Sequence, residues 1–149
     1  MKKFLVIMML FFTSCGYQPI YLNNNLKNIE FYKIDVEGEK EINNLILNAL
    51  SLKEDTSNEK LAELFLSSFY RIEEISKNSK GQTETYRSSI LLDIKIIKNK
   101  NVLKNKVFSG ELTYNKKDNK FELTEYQADI KKKLANGIIE DLFLFLNMK

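Results

Sequence analysis

The sequence predicts an α+β fold in one small domain, with a strand, a helix, two or three long strands and a terminal helix in that order. Apolar residues recur at three- and four-residue steps in two stretches, and they alternate with polar residues in others. The first pattern is typical of amphipathic helices and the second of half-buried strands. The chain has 149 residues, which suffice for one compact domain.

The amino terminus has the pattern of an export signal. Two lysines precede the nine apolar residues Phe4 to Phe12, which are too few to cross a membrane as a helix. The two small residues that follow, together with Cys15, resemble a bacterial lipobox, in which the cysteine sulfur takes a diacylglyceryl group and cleavage frees the cysteine amine. We therefore predict a lipoprotein signal peptide over residues 1–14 and lipidation at Cys15.

Residues 15–28 are predicted to form a lipidated tether. They contain the only proline of the chain, Pro19, and a run of three asparagines, and both features favour an extended connection. In enteric-type bacteria an Asp directly after the acylated cysteine resembles a signal for retention in the inner membrane. Gly16 stands at this position and therefore predicts a lipid-anchored protein of the outer membrane that faces the periplasm.

Composition and charge exclude several classes of function. Because the chain has no histidine and one cysteine, it cannot build a Ser/His/Asp triad, a Cys/His pair, a zinc tetrahedron or a disulfide on its own. The adjacent carboxylates Glu73-Glu74 and Glu140-Asp141 point apart, so neither forms an acid/base pair unaided. Without the two lysines of the predicted signal peptide, 21 basic residues face 20 acidic ones. We predict no enzyme, no cofactor, no metal and no nucleic-acid partner.

The predicted domain, residues 29–149, opens with a strand and a helix. Ile29 to Val36 is rich in β-branched and aromatic residues and ends shortly before Gly38, which predicts the first strand. From Glu39 to Leu52 the apolar residues recur at helical steps opposite asparagines, which predicts a helix that packs one face inward. Lys53 to Lys60 contains no apolar residue and is predicted to be a loop.

The middle of the chain predicts long strands. Leu61 to Ser76 fits a helix about as well as a strand, so periodicity leaves both open. Two alternating runs follow, around Ile94 and around Phe108, and together they predict a long hairpin. Leu91 and Ile97 interrupt the polar side of the first run, which is compatible with partial cover by a partner.

The last helix is predicted from about Asn119 to Leu146. Its start has two candidate capping boxes, one at Asn119 and one at Thr124. Lys131 to Lys133 is interpreted as a polar surface of this helix. Leu142 to Leu146 is apolar all round, so it is either ordinary core, which is the simpler interpretation, or an exposed patch for a partner.

Cys15 and the six residues after it, Gly-Tyr-Gln-Pro-Ile-Tyr, resemble the mature start of alphaproteobacterial members of the LPS-assembly lipoprotein family, LptE. The order of elements is similar, and so are the first helix, Thr85-Tyr86-Arg87 at the entry to a strand, and Tyr126-Gln127-Ala128 in the last helix. The resemblance implies two helices packed on one face of a mixed four-stranded sheet. It therefore implies that Leu61 to Ser76 is a strand.

The resemblance also implies a function without catalysis. Members of this family sit inside and against the lumen of the large outer-membrane β-barrel LptD, as a plug that the barrel needs for assembly. They contact lipopolysaccharide on its way to the cell surface. The alternative is a periplasm-facing lipoprotein that serves another envelope assembly, such as a barrel-insertion or lipid-transport complex.

Basic residues around the turn of the predicted hairpin are candidates for lipopolysaccharide contact. Five lysines lie there with no acidic residue between the first and the last, and clustered lysines neutralise phosphate groups. The simpler interpretation is a solvated edge in a lysine-rich chain, where lysines also hinder unwanted strand pairing. Members of the family often carry several arginines, whereas this chain has two. The candidate residues are Arg87, Lys95, Lys98, Lys100, Lys104 and Lys106.

Overall fold

The computed structural model describes residues 29–147, so the predicted signal peptide, the tether and Cys15 lie outside the described residues and stay predictions. The described chain forms six strands and two helices. In chain order they are β1 (Ile29–Phe31), β2 (Lys33–Gly38), α1 (Lys40–Ala49), β3 (Leu52–Glu54), β4 (Glu63–Lys77), β5 (Thr83–Lys98), β6 (Asn101–Asn115) and α2 (Lys120–Asn147).

Four of the strands form one mixed sheet in the order β2-β4-β5-β6. β2 runs parallel to β4, and the long hairpins β4–β5 and β5–β6 are antiparallel. The predicted α+β class is therefore confirmed, and the segment from Leu61 to Ser76 is a strand, as the family resemblance implied. The turn between β5 and β6 has two residues with positive φ, Asn99 at 51° and Lys100 at 64°, which suits the twist of a tight hairpin.

The predicted first strand from Ile29 to Val36 is wrong in one respect, because it is broken at Tyr32. The Tyr32 amide donates to the carbonyl of Ala62 at 2.8 Å, and this contact separates β1 from β2. β1 pairs with β3 in a separate two-stranded parallel sheet. The predicted loop from Lys53 to Lys60 therefore begins inside a strand, because the buried Leu52 draws its neighbours into pairing with β1.

Both helices cover the same face of the sheet. Alternate residues of β4 and β5 point toward them and are almost fully buried, which is the consequence of the period-two pattern in the sequence. β6 contributes Phe108 and also Gly110, where α2 approaches closely through Leu134 and Ile138. The central core consists of Ile42, Ile46, Leu64, Leu66, Ile90, Leu92, Ile94, Ile138, Ile139 and Leu142.

The ends of α2 resolve two alternatives that the sequence left open. The side-chain oxygen of Asn119 accepts the Phe121 amide at 2.8 Å, so Asn119 and not Thr124 caps the helix. In the apolar block at the other end, Leu142 belongs to the core, whereas Leu144 is exposed. The block therefore supplies both core and surface. Within residues 29–147, neither helix combines the length and the apolar composition needed to cross a membrane.

Candidate functional site

The face of the sheet opposite the helices carries an apolar patch with no covering element among the described residues. Phe69, Leu91 and Val107 are 61%, 47% and 54% exposed and lie on three adjacent strands. Phe69 stands directly opposite Leu91, and Val107 is the diagonal neighbour of Leu91 on β6. We call these three residues the open-face patch. Leu91 is one of the two apolar residues that interrupt the predicted polar side of β5, a position compatible with partial cover by a partner.

Charged residues flank the open-face patch at both ends. Toward β2, a shallow groove of about 450 Å³ is lined by carboxylates, Lys95 and apolar side chains that include Phe65 and Ile97. On the other side, Arg87 lies near Glu111 at 4.0 Å and its Nε donates to the Thr113 hydroxyl at 3.5 Å. The described residues contain no group of three or more acidic side chains placed to hold a metal ion. Charged side chains therefore border the apolar centre of the open face on both sides.

The structure separates the basic residues that were predicted to contact lipopolysaccharide. Lys95 and Arg87 lie on the open face, and eight residues of extended strand place them about 27 Å apart. Lys98 and Lys100 lie at the β5–β6 turn. The candidate residues therefore do not form a single cluster, and their contact with lipopolysaccharide stays a prediction.

Lys104 and Lys106 lie on the helix-covered side of the edge strand β6, opposite Ile96 and Ile94. The Lys104 ammonium donates to the carbonyl of Phe145 at 3.0 Å, in the last turn of α2. The Lys106 ammonium lies 4.8 Å from the centre of the Phe108 ring. Cations at this position complement the negative end of the helix dipole. Part of the lysine set therefore stabilises the end of α2.

A polar cluster between the helices was not found by sequence reasoning. Lys131, interpreted above as surface, is mostly buried and its ammonium pairs with Glu39 at 2.6 Å and Glu41 at 2.7 Å. Burial alone lowers the pKa of Lys131, but the hydrogen bonds to both glutamates outweigh it and leave that pKa raised. The interpretation of Lys131 as part of a solvated surface is therefore wrong. No local pattern pairs residues that lie 92 positions apart.

A chain of hydroxyl groups lies beside this ion pair. The Ser88 hydroxyl is within 3.2 Å of the Tyr70 hydroxyl and 3.1 Å of the Tyr114 hydroxyl. Burial is the main reason why the pKa of Tyr70 is raised, so this phenol stays protonated at neutral pH. The three hydroxyl groups satisfy one another's hydrogen-bonding capacity and link the adjacent strands β4, β5 and β6.

Comparison with known proteins gives matches in structure but none in sequence: no family model and no curated protein matches the chain. The fold is similar to that of rare lipoprotein B from Shewanella oneidensis, with a TM-score of 0.60, 10% identity and coverage of 76% of this chain and 92% of that one. It is also similar to that of a putative lipoprotein from Caulobacter crescentus, with a TM-score of 0.53, 13% identity and coverage of 76% of this chain and 86% of that one. A minor lipoprotein from Acinetobacter baumannii matches with a TM-score of 0.54, 10% identity and coverage of 75% of this chain and 87% of that one.

These similarities define the class of fold. Each of the three proteins is matched over most of its own length, so the shared architecture is the whole domain and not a fragment of it. The chain therefore has an α+β fold that is also found in bacterial lipoproteins.

Proposed function

We propose that this protein is an envelope lipoprotein of the LptE type, which scaffolds and plugs an LptD-like β-barrel in the outer membrane. Its role is to aid assembly of the barrel and transport of lipopolysaccharide to the cell surface, without catalysis. The observation that carries the proposal is the fold shared with bacterial lipoproteins over most of their length. The lipobox and the sequence from Cys15 to Tyr21 support it independently.

In this proposal, acylated Cys15 holds the domain at the periplasmic side of the outer membrane. Mass spectrometry of the protein from its native host tests the anchor directly. We expect a mature chain that begins at Cys15 and carries acyl chains on that residue. A protein that keeps Met1, or a processed protein with an unmodified thiol, would contradict the anchor.

The partner is tested by purifying the native protein in detergent and identifying any companion present in equal amount. An outer-membrane β-barrel of the LptD type is expected. A stoichiometric companion from a different envelope assembly would replace this proposal with the alternative accessory role. A protein that is recovered alone would contradict both.

We assign the barrel contact to the open-face patch because its three exposed apolar side chains form one continuous surface. A photoreactive amino acid at Leu91 should form a cross-link to the barrel in cells. The same group at Asn136, which is exposed on α2, serves as the control and should form none. Cross-links of equal yield from both positions would contradict the assignment.

Direct contact with lipopolysaccharide is a separate part of the proposal. Replacement of Lys95, Lys98, Lys100, Lys104 and Lys106 by glutamine removes the positive charges around the β5–β6 turn. If these residues bind lipid A phosphates, affinity for lipopolysaccharide should fall at least tenfold. Unchanged affinity would show that the lysines only form a solvated edge and support the end of α2.

A further inference from the structure

Three large apolar side chains are exposed together at one end of the sheet. Val102, Leu103 and Leu144 are 55%, 56% and 60% exposed. The strand register explains this for Leu103, because it is the extra residue where the pairing of β5 with β6 shifts beside Ile97. Leu144 belongs to the last turn of α2, which the bond from Lys104 to the Phe145 carbonyl joins to this part of β6. Two separate elements therefore place apolar side chains at the same end.

Positive charge accompanies these side chains. Lys98 and Lys100 are exposed at the β5–β6 turn, next to Val102 in the hairpin. The sequence contains no acidic residue between Asp93 and Glu111. We call Lys98, Lys100, Val102, Leu103 and Leu144 the turn-end surface. Apolar side chains bordered by lysines are what an anionic membrane surface binds.

The described chain also begins at this end. Tyr32 lines one cleft together with Asn99 and Lys100, and β1 begins three residues before Tyr32. Fourteen residues, 15–28, separate the start of the mature chain from Ile29, a length that spans at most about 50 Å. An anchor at Cys15 is therefore attached to the end of the domain that carries the turn-end surface.

We propose that the turn-end surface rests on the anionic phospholipid of the membrane that holds Cys15. The apolar side chains enter the interface between headgroups and acyl chains, and the two lysines contact the phosphates. This contact fixes the orientation of the domain, so that the β4–β5 turn points away from the membrane. The orientation depends on the proposed acylation of Cys15.

The absence of tryptophan from the chain makes a direct test possible. Leu103→Trp introduces a single fluorophore into the turn-end surface. The matched control is Phe121→Trp, an exposed position in the first turn of α2, at the opposite end of the sheet and about 36 Å along α2 from Phe145. Each full-length mature protein is reconstituted, after its acylation is verified by mass spectrometry, into vesicles of phosphatidylethanolamine and phosphatidylglycerol with brominated acyl chains.

We expect at least threefold quenching of the fluorophore in Leu103→Trp and almost none in Phe121→Trp. The same Leu103→Trp protein with Lys98→Gln and Lys100→Gln should show at least twofold less quenching. Leu144→Trp places the fluorophore on α2, the second element of the turn-end surface, and its fluorescence should be quenched as strongly as that of Leu103→Trp. Because the vesicles contain no lipopolysaccharide, quenching in them would show that phospholipid alone is sufficient to bind the turn-end surface.

Two outcomes would overturn the inference: an unquenched fluorophore in both Leu103→Trp and Leu144→Trp, or equal quenching in the Phe121→Trp control. Either result, obtained with acylated protein, leaves the proposed anchor and barrel partner standing. An absence of acyl chains in the mass spectrum would instead count against the anchor itself.

Discussion

The two faces of the sheet differ although the same strands build them. Leu91 and Leu92 are neighbours on β5, yet Leu91 is 47% exposed and Leu92 is 0% exposed. Two helices cover one face, and no element of residues 29–147 covers the other. Antiparallel sheets commonly keep one face solvated, but that face is normally polar. The apolar side chains on the uncovered face therefore contribute little to folding and are available to a partner.

The largest difference in stability between the two faces is expected when one leucine on each face is replaced by alanine. Leu92→Ala leaves a cavity in the core and should lower the free energy of unfolding by about 3 kcal/mol. Leu91→Ala removes an exposed side chain and should change it by less than about 1 kcal/mol. Urea denaturation of both variants measures the difference. Equal losses would mean that the open face is also part of the core.

The second comparison uses two adjacent serines. Ser88→Ala breaks the hydroxyl chain between Tyr70 and Tyr114, so it should lower the free energy of unfolding by about 1.5 kcal/mol. Ser89→Ala on the open face is the control and should change it by less than about 0.5 kcal/mol. Thermal and urea denaturation give both values. A Ser88→Ala variant as stable as its control would show that the hydroxyl chain contributes nothing.

The third test concerns the ion pair that joins the helices. Lys131→Met should lower the free energy of unfolding by about 1 kcal/mol, and the exposed Lys132→Met should have almost no effect. Because the folded state raises the pKa of Lys131, its contribution is fully present below the unfolded pKa of about 10.5. It is lost as pH rises through the raised folded value. If the stability difference between Lys131→Met and the unsubstituted protein stays constant as the pH rises above the folded pKa of Lys131, this assignment is contradicted.

The smallest effect on stability is expected on the open face, where the functional effect should be large. Phe69→Ser should change the free energy of unfolding by less than about 1 kcal/mol, because Phe69 is exposed. If the open-face patch binds the barrel, recovery of the barrel with this variant should fall at least fivefold. Phe121→Ser alters an equally exposed aromatic residue elsewhere and should recover the barrel normally. Normal recovery with Phe69→Ser would exclude the open-face patch as the main contact.

Local patterns in the sequence predicted most elements because their causes are local. Alternation around Ile94 predicted the long β5, and three- and four-residue steps predicted both helices. The strand β4 was ambiguous, since its apolar residues fit both periods, and the family resemblance decided it correctly. The break at Tyr32 was missed because it depends on a hydrogen bond to Ala62, thirty residues away.

The candidate surfaces were predicted in part. Leu91 was noted as an apolar residue on the polar side of β5, and the structure places it in the open-face patch. The sequence places the basic residues around the β5–β6 turn in one group, yet strand alternation sends Lys95 and Lys104 to opposite faces of the sheet. The open-face patch could not be predicted as a unit, because its members come together only through the register of three strands.

Residues within a turn or two of one another therefore account for the helices, the β5–β6 hairpin and the predicted acylation signal. Only the tertiary structure decided which face of the sheet remains uncovered, which lysine joins the helices and which apolar residues meet at the β5–β6 turn. The physical reason is that period and capping act through neighbouring backbone groups. Strand register and helix packing depend instead on contacts between residues far apart in the chain, which no local pattern encodes.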